Sequence, residues 1–306
     1  MSQLPIPLSI FLDTVRSVNP LIQCFSNYVS MDINANILLA SGASPAMVHS
    51  IDECEQFTSF SSGLCINIGT LDKVWIESMK VSAKKAHDNN IPWVLDPVGC
   101  GATTLRTETS YTLASLYQPN AIRGNGGEII ALYNAALQHN NEQSNIDTTN
   151  TTKGVDSTIG SNKAITAGIY LSTKITKGII VVSGETDYII CGANTKYNTT
   201  DKHIIMGVTS GTPLLQKITA TGCSLSCLVA AFLSIASKVS SDKLSNPNET
   251  FIYAATAACA YFGAASDIAT KANPNIGPGS LRVQLIDNLY SLHSKEINQI
   301  SCQNIE

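Results

Sequence analysis

The chain has 306 residues, 44% of them hydrophobic and 14% charged, with a formal net charge of −4. That is enough apolar material for a sizeable α/β core, and the mild negative charge without a basic block argues against nucleic acid or an anionic membrane as partner. The first twenty residues lack a cationic start and a cleavage-like site, no uninterrupted apolar run reaches the roughly 18 residues of a spanning helix, and nine scattered cysteines form no CxxC, so a cytoplasmic protein with reduced thiols is expected.

LIQCFS (21–26) predicts a short buried strand. Ser30 is then placed to cap a helix through MDINANILLAS, which Gly42 ends. SPAMVHS (44–50) reads as extended and LCINIG (64–69) as a strand. Residues 72–90 carry Val74, Met79, Val81 and Ala86 among lysines and predict an amphipathic surface helix. IPWVLDPVG (91–99) and AIRGN (121–125) read as buried strands, and GIIVVSGETDYIICG (178–192) as two strands about a turn at Gly184. Short apolar strands alternating with helices imply an α/β fold with a mostly parallel sheet covered on both faces. The Asn/Thr/Ser-rich stretch at about 138–163 breaks this rhythm and is expected to be a solvated insertion within a single domain. SDKLSNPNET (241–250) reads as a surface link. The small-residue run that follows it, FIYAATAACAYFGAASDIATKA, predicts a closely packed helix.

In such sheets the chemistry lies at the C-terminal ends of the parallel strands. Polar residues stand at that position after four strands: Ser26 and Asn27, Asp96, Arg123 and Asn125, and Ser183 with Glu185. No P-loop spacing is present, and RGNGGE (123–128) is not the dinucleotide fingerprint. The stretch TATGCSLSCLVAAF (219–232) instead predicts a loop closing onto a buried helix. The free N–H groups of Thr221, Gly222 and Cys223 would favour an anion there. Cys223 itself has three readings: a group beside that anion, a small buried hydrophobe, or a nucleophile needing a histidine such as His49 or His203.

Six blocks, in order, resemble the hydroxyethylthiazole kinase family: NPLIQCFSNYVSMDINANILLASGASPAMVHS (19–50), WVLDPVGCGATTLR (93–106), AIRGNGGEI (121–129), VVSGETDYI (181–189), ITATGCSLS (218–226) and GPGSLRVQLIDNLY (277–290). The resemblance implies a three-layer α/β/α ribokinase-like fold. It implies transfer of a phosphoryl group from ATP to the primary hydroxyl of 4-methyl-5-(2-hydroxyethyl)thiazole in thiamine biosynthesis and salvage. It also implies Mg²⁺ and a homotrimer with active sites between subunits. By the same resemblance Cys223, with Gly222 and Thr221, stands at the point of transfer. Met47, Asn27 and Ala220 match substrate positions, Arg123 and Ser183 match ATP positions, and Asp96 and Glu128 match the acidic pair associated with the metal.

Many members read TGTGC or TGAGC where this chain has Thr219–Ala220–Thr221–Gly222–Cys223. Alanine tolerates positive φ poorly, so negative φ is expected at Ala220. The helix N-terminus is expected to favour the Cys223 thiolate. A related kinase for another hydroxymethyl heterocycle and a non-catalytic thiazole or nucleotide sensor are the alternatives.

Overall fold

The computed structural model describes residues 4–142, 161–239, 244 and 246–305. The chain runs α1 (Ser9–Val18), β1 (Leu21–Phe25), α2 (Met31–Ser41), β2 (Ser44–Ala46), α3 (Cys54–Phe60), β3 (Gly63–Asn67), α4 (Lys73–Asp88), β4 (Trp93–Asp96), α5 (Thr104–Tyr117), β5 (Ala121–Asn125) and α6 (Gly126–His139). After it come α7 (Ser161–Tyr170), β6 (Ile179–Ser183), β7 (Asp187–Cys191), β8 (Ile204–Thr209), α8 (Thr221–Ser234), α9 (Thr250–Ala272), α10 (Pro278–Ser291), α11 (Ser294–Ile297) and β9 (Ser301–Asn304). One mixed sheet has the order β2-β1-β3-β4-β5-β6-β7-β8-β9. Its strands are parallel from β2 to β6 and antiparallel from β6 to β9.

Strand side chains alternate between two cores, as the period of two requires. Cys24, Cys65, Val94 and Val181 face a core shared with α1, α2, α8, α9 and α10. Leu64, Ile66, Trp93, Leu95, Ile180 and Val182 face the other, shared with α4, α5, α6 and α7. This is the three-layer α/β/α arrangement expected above. With helices on both faces, β4 buries all four of its residues; each large apolar side chain so covered contributes about 1.5–3 kcal/mol.

Several local expectations need correcting. Ser30 precedes α2 without a side-chain capping bond; its hydroxyl donates to the Asn27 carbonyl at 3.1 Å instead. Gly42 ends that helix in the left-handed region, as expected. On α4 the buried stripe includes Met79 and Ala86, whereas Val74 is exposed. The expected insertion begins inside α6 and ends inside α7, and residues 143–160 lie outside the described residues. Two helical stretches, Thr221–Lys238 and Pro247–Ala272, are long and apolar enough to span a membrane by length and composition. Their hydropathy is spent on the core, with 72% and 89% of the respective windows buried inside the protein.

Candidate active site

The parallel strands end side by side, and their last residues build the site. Asn67 and Asp96, which close β3 and β4, are register partners. Asn67 Nδ2 donates to Asp96 Oδ2 at 2.6 Å, and its Oδ1 accepts from Asn27 Nδ2 and from the Gly69 N–H, both at 2.9 Å. Asn27 Nδ2 also reaches Cys223 Sγ at 3.4 Å. Ser226, three residues further along α8, donates to the same Asp96 oxygen at 2.8 Å. Cys223, Asn27, Asn67, Asp96 and Ser226 are therefore one connected polar cluster under the N-terminus of α8. Asn67 and Ser226 were not among the expected site residues, although Asn67 holds the same strand-end position as Asp96.

The second arm of the site comes from β5 and β6. Arg123 Nε and Nη2 donate to Ser183 Oγ at 3.0 and 2.7 Å. The guanidinium lies against the first turn of α8: a Cβ at Gly222 would stand 2.7 Å from Arg123 Nη1. A side chain there would have to displace the end of Arg123. The expected trio at the helix start divides in the structure. Gly222 and Cys223 face the two arms, whereas the Thr221 hydroxyl turns back to the Leu215 and Ile218 carbonyls at 3.2 and 3.3 Å.

Ala220 overturns its expectation. Its φ is 65° and its ψ 9°, in the left-handed region, and it precedes the helix as N-cap. The loop keeps a glycine-type shape and carries the strain in the alanine.

Electrostatics overturn a second one. Burial pushes the Cys223 thiol up to about 12, and the Asp96 charge adds to this; hydrogen bonds from Asn67 and Asn27 and the Arg123 charge oppose it without prevailing. A helix N-terminus offers only a partial charge, and here desolvation wins. Cys223 is a neutral thiol with amide partners. No histidine is among the partners found for it within the described residues, which removes the support for a Cys–His nucleophile: His49 Nε2 accepts from the Ser26 N–H at 3.2 Å, and His203 Nδ1 accepts from the Ala193 N–H at 2.9 Å. Burial also raises Asp96 to about 7, the Glu128 charge adding to it against Arg123, Ser226 and Asn67.

The acidic pair is held differently at its two members. Glu128 caps α6 reciprocally with Asn125: the Glu128 N–H donates to Asn125 Oδ1, and Glu128 Oε2 accepts from the Asn125 N–H, both at 2.9 Å. Its other oxygen accepts from the Gly99 N–H at 2.9 Å. Asp96 Oδ1 is buried with no hydrogen-bond partner. Behind them Arg106 closes the floor of the site. Its guanidinium donates to the Ile68, Val98 and Gly69 carbonyls at 3.1, 2.8 and 2.7 Å, stitching the loop after β3 to the loop after β4. Gly99, with φ 70°, lets that side chain lie against the turn.

Met47 enters from the loop after β2. It is half-buried on the α8 side of the sheet, where Ala220 packs on the same core. His49 anchors this loop through a backbone hydrogen bond at Met47 and the one from Ser26, and it stacks on Trp75 at 4.5 Å.

The profile described as the Hydroxyethylthiazole kinase family matches residues 12–295. The chain belongs to the hydroxyethylthiazole kinase family. It is therefore a phosphotransferase, and the strand-end cluster is its candidate active site. Hydroxyethylthiazole kinase of Arabidopsis thaliana is 41% identical over 281 residues, covering 92% of this chain and 88% of the plant protein. That of Syntrophus aciditrophicus is 38% identical over 283 residues, covering 92% and 91%. The solved hydroxyethylthiazole kinase of Pyrococcus horikoshii superposes with a TM-score of 0.77 at 29% identity, covering 98% of this kinase and 99% of that chain.

Proposed function

We propose that this protein transfers the γ-phosphoryl group of ATP to the primary hydroxyl of 4-methyl-5-(2-hydroxyethyl)thiazole, for thiamine biosynthesis and salvage. The observation that carries this reading is the meeting of two unlike arms at one helix N-terminus. On one side Cys223 and Asn27 suit an alcohol. On the other Arg123, pressed against Gly222, suits a phosphate.

Phosphoryl transfer is mostly positioning and charge stabilisation. The N–H groups at Gly222 and Cys223 are directed at the γ-phosphate, with the helix dipole behind them. Arg123 neutralises phosphate charge, and Ser183 fixes its guanidinium plane. Met47 and Ala220 border the thiazole. Cys223 Sγ, a neutral thiol, orients the alcohol. A loose transition state places little early charge on the attacking oxygen, so an orienting acceptor suffices where a strong base is lacking, and the alcohol proton leaves late, to a phosphate oxygen or to water.

The residues present fit Mg²⁺. The orphaned Asp96 Oδ1 is a hard oxygen donor with no other partner, and Glu128 adds a second carboxylate held rigid by two backbone N–H groups. No cluster of three or more His, Cys, Asp or Glu side chains suited to a metal occurs among the described residues. That supports an ion carried largely by nucleotide and water, as Mg²⁺ commonly is. When bound, Mg²⁺ would supply charge neutralisation of the polyphosphate.

The whole chain would act as one kinase unit. A homotrimer with shared active sites is part of the proposal. Tyr28 and Val29, next to Asn27, are 66% and 61% exposed, which supports a neighbouring subunit covering them. Nine free thiols support a cytoplasmic location.

The test is ADP release from ATP and Mg²⁺ in the presence of a panel of alcohols. Release that depends on hydroxyethylthiazole is expected. Faster release with another hydroxymethyl heterocycle would reassign the substrate, and no release with any alcohol would point to a sensor.

A further inference from the structure

Asn34 lies in the second turn of α2 and is fully buried, yet it touches none of the groups assigned above to substrate, nucleotide or metal. Its two amide ends reach two different parts of the site. Asn34 Oδ1 accepts from Ser224 Oγ at 2.9 Å. Asn34 Nδ2 donates to Ser26 Oγ at 3.1 Å and to Ser30 Oγ at 3.3 Å. All three serines are fully buried. The orientation of the amide follows from the chemistry. The Ser30 proton goes to the Asn27 carbonyl, so its oxygen must accept, and only the Nδ2 end of Asn34 can donate to it. Ser224 Oγ also lies 2.9 Å from the Ala220 carbonyl, so its one proton is shared between that oxygen and Asn34 Oδ1.

Each partner is adjacent to a site residue. Ser224 follows Cys223. Ser26 precedes Asn27, and its backbone N–H bonds His49, which anchors the loop of Met47. Ser30 holds the Asn27 carbonyl. Asn34 thus joins the segments that carry Cys223 and Asn27, and reaches the Met47 loop through Ser26 and His49. A buried polar network with every member satisfied fixes geometry in a low-dielectric interior. Small displacements of a reacting group cost rate far out of proportion to their size.

We infer that Asn34 is a positioning residue for the alcohol side of the reaction: it sets the separation between the substrate loop and Cys223. The inference rests on the proposed function, and wild-type turnover of the thiazole alcohol is the control that separates failure of that reading from failure of this one. The Arg123–Ser183 arm shares no hydrogen bond with Asn34, so the larger effect is expected on the alcohol.

The experiment is steady-state kinetics on the full chain for Asn34→Ala, Ser224→Ala and the double variant, with folding at the assay temperature checked by circular dichroism. Asn34→Ala is expected to lower kcat/KM for the alcohol by on the order of tenfold or more, while KM for ATP stays within about twofold. Ser224→Ala should move the same parameters in the same direction. The double variant should be no worse than Asn34→Ala, because both substitutions cut one tie. Equal damage to both substrates, additive losses, or folded variants with kinetics within about twofold of wild type would each overturn the assignment. Should Asn34→Ala fail to fold, Ser224→Ala and Ser26→Ala, each removing one hydroxyl, carry the same test: a selective loss on the alcohol side supports it, and unchanged kinetics overturn it.

Discussion

Replacing Ala220 by glycine should stabilise the protein, which is unusual for a change that removes a methyl group from the edge of a core. At φ 65° the alanine methyl crowds the following backbone, at a cost of about 1–2 kcal/mol for an L-residue. Glycine removes that cost but adds about 0.4–1 kcal/mol of unfolded-state entropy. The difference is a net gain of about 0–1.6 kcal/mol, with a mid-range of about 0.8. In a domain of this size the mid-range gain raises Tm by about 1 °C. The same chemical change ten residues on, Ala230→Gly, is the contrast. Ala230 is fully buried in the middle of α8. There the substitution loses about 1 kcal/mol of helix propensity and roughly 0.8 kcal/mol of methyl burial. Calorimetry and urea unfolding of both variants should give shifts of opposite sign. A fall in Tm for Ala220→Gly would refute the left-handed backbone at that position and restore the negative φ expected from the sequence.

Cys223→Ala should lower kcat about ten- to a hundredfold with KM for ATP within about twofold, as expected for loss of an orienting group and not of a nucleotide contact; wild-type turnover would remove Cys223 from the reaction. Gly222→Ala should reproduce the kinetic defect of Arg123→Ala, chiefly a raised KM for ATP, because a Cβ there collides with Arg123 Nη1 at 2.7 Å; normal ATP kinetics in a folded Gly222→Ala protein would show that the two do not meet. Cys100 and Cys223 are both pushed by burial from 9.0 up to about 12. Their folded pKa values exceed the unfolded ones, so their contribution is complete below pH 9 and is lost as pH rises from about 9 through 12. Above pH 9 urea midpoints should fall less steeply for Cys223→Ala than for the unsubstituted protein; equal slopes in the two proteins would contradict a buried neutral thiol at 223. Arg106→Ala should cost about 1.5–3 kcal/mol, the range for a charge-assisted bond, since three carbonyls lose a charged donor; an unchanged urea midpoint would show that the two loops hold without it.

What the sequence made legible was whatever follows from local pattern. The strands at 21–25, 93–96, 121–125 and 179–183 are short apolar runs with polar ends, and the structure keeps both features. The polar ends do converge, because parallel strands in register finish on one level. Other elements carry no such pattern. α5 is rich in Thr and Ser, β9 is the polar sequence SCQN, and α3 is only seven residues long. Within the site, Asn67 and Ser226 are single polar residues inside apolar segments, and only the fold reveals that both meet Asp96. Asn34 reads as one polar interruption in MDINANILLA. Two expectations in the site, at Ala220 and Cys223, are reversed. Each was judged from its own neighbours in the chain, while at Cys223 the outcome was decided by burial under the rest of the fold.

The order of the sheet has a consequence for synthesis. From β1 onwards, strand neighbours follow chain order from one edge to the other, with only β2 placed outside the sequence. A chain leaving the ribosome can therefore add each strand to an edge already present, without waiting for a distant partner or opening a formed pair. Catalytic competence does not grow in step with the sheet. The frame of β1, β3, β4, β5 and β6 is available once residue 183 has emerged, but the helix that closes the site begins at Thr221 and packs back across β1, β3 and β4. A nascent chain would hold a largely built sheet with an open, unfinished reaction centre. α8, arriving late and burying itself over the oldest strands, joins completion of the fold to the onset of activity.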